Sequence, residues 1–408
     1  MTRREVIGTA SAFAAASYSR VLGANDRLSI GLIGCGGRGG RELLPVFTKV
    51  NGPFTAVCDL WRPRADGAAA NSPGAKIFGD HRRLLELPGL DAVVVATSDH
   101  WHAPIAIDAM NAGKDVYVEK PLTLKMEEGP RIIKAARVNR RICQVGTQQR
   151  SGAHYIQARD EYVRSGKLGK IMYVRTWWAD GGVDPLASGG ANPNPPKAGG
   201  GHSTPPGMEN KPTDLNWDRY LAPVRWREWN PPQFFNFRAY RDFSGGILTD
   251  KFVHWVDTVH MFMGEDGPSA ANMNGGIWVA KDSRSVPDTL HLQLEYPGNW
   301  LCTFTNVATA GMSRVGIEFC GTHGHLRIDR DRAEYFPPEK GAPPVVVECH
   351  TDIVEEHVRN FIESCRSGKA PNCDVAAGHR SAQAAHLGNL SYAEKRRIHF
   401  DPDREIVL

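Results

Sequence analysis

Two sets of residues have the types and spacing to do chemistry. Gly34-Cys35-Gly36-Gly37-Arg38-Gly39 reads G-x-G-x-x-G, and Asp59 stands twenty residues beyond the last glycine. Glycines at these places let a chain turn tightly, bring its backbone against a diphosphate and pack a helix closely on a strand. The free N–H groups opening that helix then favour the anion. An aspartate at that distance can accept hydrogen bonds from ribose hydroxyls. With 42 glycines in the chain, the six-residue match alone is weak. Its flanks strengthen it, since an apolar run at 28–33 precedes it, a helix-like stretch at 41–49 follows it, and Asp59 closes a second apolar run at 54–59. The alternative is a glycine-rich turn with a surface aspartate. Asp59 would repel a 2′-phosphate and favour NAD, whereas Arg62 and Arg64 could hold one, which keeps NADP open.

The second set is Asp250 and His254. They fall four apart in a helix-like stretch at 249–263, so both side chains can point into one cleft. A carboxylate and an imidazole there can hold and deprotonate a hydroxyl. Asp250 could instead cap the helix, and His254 could be a buried structural histidine. Lys251 between them is either a second cation in the cleft or a solvent-facing side chain. Trp255 and His260 read as packing residues.

These residues need a scaffold. Short apolar runs at 28–33, 54–59, 92–96, 116–118 and 142–145 alternate with helical stretches at 41–49, 102–112 and 127–139. That alternation predicts an α/β Rossmann domain with a doubly wound parallel sheet over 25–150. The later half differs. Runs at 171–178, 291–296, 300–305 and 315–320 are joined by Gly, Pro and Asn, which predicts an α+β domain over 151–408 with a large open, mostly antiparallel sheet. Helices are expected at 354–365 and 379–395, and the last can pack back on the Rossmann domain. The stretch at 179–246 is rich in Gly, Pro and Trp. Trp217, Trp226 and Trp229 imply partial order there, either as platforms for sugar rings or as packing for the insertion itself.

Composition narrows the class. The chain of 408 residues is 41% hydrophobic and 23% charged, enough for two packed domains. A formal charge of +4 gives no reason to expect nucleic-acid binding. Eight scattered cysteines form no C-x-x-C, so Cys35 and Cys58 read as small buried hydrophobes. Arg3 and Arg4 before a short apolar stretch resemble a twin-arginine export leader over 1–24, too short to insert as a membrane span.

Taken together, GLIGCGGRGG, VVVATSDHWHAPIAI, DVYVEKPLTL, QVGTQQRS, SGKLGKI and GGILTDKFVHWVD resemble the Gfo/Idh/MocA oxidoreductases, the family of glucose–fructose oxidoreductase and inositol dehydrogenase. The resemblance implies that Thr97, Ser98 and His102 border the nicotinamide side of the cofactor. It implies that Glu119-Lys120-Pro121 is the family's E-K-P, with Lys120 touching nicotinamide ribose and substrate and a cis bond before Pro121. It places Gln148 near the nicotinamide and makes Asp250 and His254 the family's D-x-x-x-H pair. Lys251 departs from the small or apolar residue usual there, and Gly129-Pro130 should delay or kink the following helix.

The function expected is hydride transfer between NAD (or NADP) and a carbon bearing a sugar or polyol hydroxyl. His254 would be the base, Lys120 would polarise the oxygen, and Asp250 would orient substrate or His254. An exported enzyme would have to keep its cofactor and regenerate it. Paired oxidation and reduction of two sugars does this, and so does transient oxidation with elimination, as in NAD-dependent glycosidases. The latter characteristically carry a tyrosine–histidine motif where this chain has TDKFVH. Other classes weighed are a non-catalytic dinucleotide-binding protein and a zinc hydrolase, the second without an H-E-x-x-H. No metal site is expected. A homodimer or homotetramer is expected through the open sheet.

Overall fold

The computed structural model describes residues 27–179, 204–307 and 315–408. The proposed leader and the first part of the Gly/Pro/Trp-rich stretch lie outside the described residues. Six strands, β1 Ile30–Ile33, β2 Ala56–Cys58, β3 Lys76–Phe78, β4 Ala92–Val95, β5 Asp115–Val118 and β6 Cys143–Val145, form one all-parallel sheet in the order β3-β2-β1-β4-β5-β6. The order reverses between β1 and β4, the point where doubly wound sheets open a ligand crevice beyond their strand ends. Strands β1, β2 and β4 are buried on both faces, as their unbroken apolar runs require.

The helices between these strands are α1 Leu44–Asn51, entered by a wide helical turn at Gly37–Leu43, then α2 Arg62–Ala70, α3 His81–Leu85, α4 His102–Asn111 and α5 Glu128–Asn139. Pro130 does not kink α5. It sits in the first turn, where a missing N–H breaks no hydrogen bond. Gly129 beside it is held against His379, with no room for a methyl group.

A ten-stranded sheet forms the second domain: β7 Ile171–Ala179, β8 Ala270–Gly276, β9 Thr289–Tyr296, β10 Trp300–Val307, β11 Val315–Gly321, β12 Gly324–Ile328, β13 Arg332–Phe336, β14 Val345–Glu348, β15 Ile398–Asp401 and β16 Ile406–Val407. Every neighbouring pair is antiparallel except β7 with β10. The helices on this side are α6 Ala153–Ala158, α7 Trp217–Leu221, α8 Pro231–Phe235, α9 Val253–Met263, α10 Ile353–Ser367 and α11 Val375–Glu394. Helix α9 is buried nearly all round, its Trp255 and Phe262, with Phe252 just before it, joining Phe304 and Phe319 of the sheet in one core.

Two return crossings join the domains. Val358 and Phe361 of α10 pack on Phe47 and Tyr117 of the Rossmann core. Just before α11, Cys373 accepts the Val145 N–H through its carbonyl, covering the β6 edge. Between them, Arg150 pairs with the fully buried Asp257 at 2.8 Å, and Ser381 of α11 donates to the other carboxylate oxygen.

The insertion splits at the edge of the described residues. From 204 onward, Trp217, Tyr220, Phe234, Phe235 and Phe243 form a separate aromatic core with Leu60 and Trp61. Trp217 and Trp229 donate to the carbonyls of Arg227 and Met208 within the insertion, while Trp226 stays exposed and donates to Asp218. Trp217 and Trp229 pack the insertion, and Trp226 does not.

Candidate active site

The glycine loop follows β1. Gly34 has a φ of +92° and a methyl group there would strike the Ala96 carbonyl, so this turn needs glycine. A methyl at Gly39 would collide with the Gly34 carbonyl oxygen, whereas Gly36 is open in front. Gly40, not singled out in the motif, is as tightly held against the Cys35 carbonyl. Asp59 braces the loop, accepting from Cys35 N–H at 2.8 Å and from Trp61 N–H at 2.9 Å. Burial raises its carboxyl above the ordinary range, against the pull of Arg64 and these amides.

A cavity of about 420 Å³ runs from this loop to α9. Of the residues singled out in the sequence, it is lined by Gly34, Gly36, Gly37, Arg38, Asp59, Thr97, Ser98, Glu119, Lys120, Gln148, Asp250 and His254. Cys35, Gly39 and His102 lie behind it. His102 is buried between two carbonyl oxygens, those of Pro121 at 2.7 Å and Thr97 at 3.1 Å, and so positions both cofactor-side loops. Asp99 and His100 turn the other way, while Trp101 lines the cavity wall. Asp99 accepts from Ser244, and the Tyr220 carbonyl accepts from both His100 and Trp101, which docks the insertion beside the cavity.

Lys120 follows β5, in a segment whose bond to Pro121 is cis. Its ammonium donates to the Asp250 carboxylate and to the Asp250 main-chain carbonyl, each at 2.7 Å. One N–H is left for a ligand. Arg238, from the insertion, donates to the same carboxylate oxygen at 2.9 Å, and Lys251 faces the other at 3.4 Å. Burial alone would raise the Asp250 carboxyl, but Lys120, Arg238 and Lys251 outweigh it and hold it well below the usual range. Burial also pushes Lys120 down, against the pull of Asp250.

His254 is held by Gln149, whose carbonyl oxygen lies 3.1 Å from Nδ1. An Nδ1–H donating there leaves Nε2 as the lone-pair nitrogen. Burial, then the Lys120 charge, keeps this imidazole well below the ordinary histidine pKa, so it is neutral at neutral pH. Asp250 makes no hydrogen bond to His254 and instead anchors Lys120. Arg38 donates to Glu119 and Glu42, both at 2.8 Å. Gln149, Arg238, Arg330 and the aromatic wall of Phe234, Phe235 and Phe237 have no local sequence signal, because their proximity comes from segments far apart in the chain.

Cavity and fold fit a dinucleotide. The loop is clear where a diphosphate would approach, Asp59 at the end of β2 could meet a ribose, and Gln148 has a buried side-chain carbonyl oxygen with no partner that a carboxamide could donate to. Among the described residues no group of three or more His, Cys, Asp or Glu side chains converges as metal ligands would, and no helix is long and apolar enough to cross a membrane.

A Rossmann domain opening at its switch point onto a lysine, a carboxylate and a histidine from an open-sheet domain defines a two-domain dinucleotide-binding protein. The chain belongs to the Gfo/Idh/MocA oxidoreductase family: its NAD-binding Rossmann fold matches at 28–147 and its C-terminal alpha/beta domain at 216–400. The chain is 32% identical over 165 residues to inositol 2-dehydrogenase of Rubrobacter xylanophilus, covering 40% of this chain and 47% of that one. It is 32% identical over 155 residues to scyllo-inositol 2-dehydrogenase (NAD(+)) of Bacillus subtilis, covering 38% and 45%. The chain thus spans about half the length of these curated relatives. Aldose-aldose oxidoreductase from Caulobacter crescentus, complexed with glycerol, shares the fold at a TM-score of 0.69 and 19% identity, over 92% of this chain and 100% of that one.

Proposed function

We propose that the protein is an NAD-dependent oxidoreductase that oxidises or forms a CH–OH carbon of a sugar or polyol. The observation that carries this reading is the convergence of Lys120 and His254 on the cavity that begins at the glycine loop. The nicotinamide, when bound, accepts or returns the hydride. The chain supplies the rest. The free Lys120 N–H meets the substrate oxygen and stabilises the negative charge that grows there. His254 Nε2 takes the hydroxyl proton, and Gln149 fixes the tautomer that makes this possible. Asp250 positions Lys120 and keeps it charged. Glu119 is tied to Arg38 beneath the glycine loop and joins the two ends of the site.

Asp59 at the ribose position favours NAD over NADP. Arg62 is engaged with Asp66, and Arg64 lies over the Phe234 ring 4.7 Å away. The aromatic segment at 217–243, docked by Asp99, His100 and Trp101, supports retention of the cofactor between turnovers. A twin-arginine leader would make such retention necessary, and we include export and a homo-oligomer built on the open sheet in this reading.

The test is direct. Denaturing the purified protein should release NAD, identified by mass, and reduction of bound cofactor should then be screened with sugars and polyols. Protein that carries no nucleotide and binds none would overturn the proposal. Light scattering reads the oligomer, and localisation of the full chain with Arg3 and Arg4 replaced by Lys reads export.

A further inference from the structure

The substrate end of the cavity carries more positive charge than hydride transfer requires. Eight lining residues are Lys or Arg and four are Asp or Glu, an excess that a dinucleotide diphosphate would halve. That diphosphate has its own arginines. Arg41 and Arg64 flank the glycine loop, lying 3.1 Å and 3.6 Å from where methyl groups at Gly37 and Gly36 would stand. The remaining surplus gathers around α9.

Lys120, Arg238, Lys251 and Arg330 face this end; Asp250 is the carboxylate that pairs directly with the first three, while buried Asp99 and Glu119 act on Arg238 and Lys120 from farther off. Its Oδ1 already serves Lys120 and Arg238, and Lys251 stands 3.4 Å from Oδ2. Glu42 and Glu119 are both engaged by Arg38. Among the described residues Arg330, in the turn between β12 and β13, pairs with no carboxylate, and its buried Nε has no hydrogen-bond partner. Its guanidinium lies over the Trp178 ring at 5.3 Å, and the Lys251 ammonium lies over the same ring at 4.8 Å. Two cations thus share one indole, with a guanidinium donor left open. Burial also holds the Arg330 guanidinium below its usual range, as expected of a desolvated cation without a counter-ion.

We propose that the substrate is anionic, a sugar or polyol bearing a carboxylate or phosphate that docks on Lys251 and Arg330 beside Trp178. This rests on the oxidoreductase reading above and specifies its substrate. The anion takes no part in the chemistry. The carbon bearing the hydroxyl gives a hydride to NAD, its oxygen gives a proton to His254, and a carbonyl compound and NADH result. A guanidinium and an ammonium fixed on a ring are suited to a charged oxygen group, and charge-assisted hydrogen bonds in a partly desolvated site discriminate strongly against a neutral analogue.

Calorimetry on NADH-loaded protein with glucuronate, glucose 6-phosphate and glucose tests this. At least one of the two anions should bind ten-fold or more tighter than glucose, and which one does so separates carboxylate from phosphate. In Arg330→Met and Lys251→Met the preference should shrink at least ten-fold, while the Kd for NADH and the melting temperature stay within error of the parent. Glucose binding as well as both anions, no measurable binding of either anion, or a preference unchanged in both variants would overturn the anionic-substrate proposal. Loss of NADH binding by the parent protein would instead overturn the oxidoreductase reading.

Discussion

Lys120 has three protons and two fixed acceptors, and that asymmetry directs the third at whatever enters the cavity. Lys120→Met keeps the stem and removes the donor. Hydride transfer should fall by about 10²–10³-fold or more, with nucleotide still bound. Single-turnover reduction of bound cofactor measures this, and a near-normal rate would remove Lys120 from the chemistry. His254→Asn should cost about 10²–10⁴-fold in kcat/KM. Because burial and the Lys120 charge depress its pKa, His254 stays unprotonated as pH falls through the ordinary histidine range near 6.5. The parent's kcat/KM for oxidation should therefore remain level from pH 8 to 6 and fall only in more acidic buffer. A drop centred near 6.5 would show that another group supplies the base. In the sequence, Asp250 and His254 stood out by type and spacing, and Lys120 only through its place in the E-K-P segment that carries the family resemblance. Gln149 was hidden beside the more suggestive Gln148, and its role follows only from its distance to His254.

The helix start after β1 packs its glycine against the turn that precedes it. Gly39→Val would drive a branched side chain into the Gly34 carbonyl, so nucleotide binding should be lost even where the fold survives. Equilibrium binding of NADH to the folded variant reads this. At the domain junction, Arg150→Met strands the carboxylate of Asp257, and breaking a buried pair from one side should cost about 3–5 kcal/mol of stability. Chemical denaturation measures it, and a loss under 1 kcal/mol would mean that Ser381 alone suffices. The central Rossmann strands were legible because burial on two faces writes an unbroken apolar run, and strand β9 because one buried face writes an alternation of period two. The short edge elements were not. Strand β3 is only Lys76–Phe78, α2 is arginine- and alanine-rich, and β12 to β16 are runs of two to five residues, too short for their alternation to stand out.

At the scale of the whole molecule, four deeply buried histidines are held uncharged. His100, His357 and His386 are held near a pKa of about 4 and His260 near about 3, burial being the main cause in each. Unfolding frees them to take protons below about 6.5, so the unfolded chain binds more protons and stability falls as pH drops from there. Together these four predict a slope of roughly 5 kcal/mol per pH unit near pH 5, at about 1.36 kcal/mol each. Melting temperatures from pH 7 to 4.5 should show a steep decline beginning near 6.5, and a flat profile would contradict it. The chain's residues by themselves determined the Rossmann half, its glycine turn, the aspartate that closes β2 beside it and the Asp–His pair four residues apart, because each depends on neighbours within a strand, a turn or a helix. Tertiary structure alone decided that Asp250 anchors Lys120 and not His254, that Lys251 and Arg330 meet on Trp178, and that Trp217 and Trp229 of the insertion pack inward while Trp226 faces out. Those outcomes depend on which distant segments share a cavity, and local spacing carries no information about that.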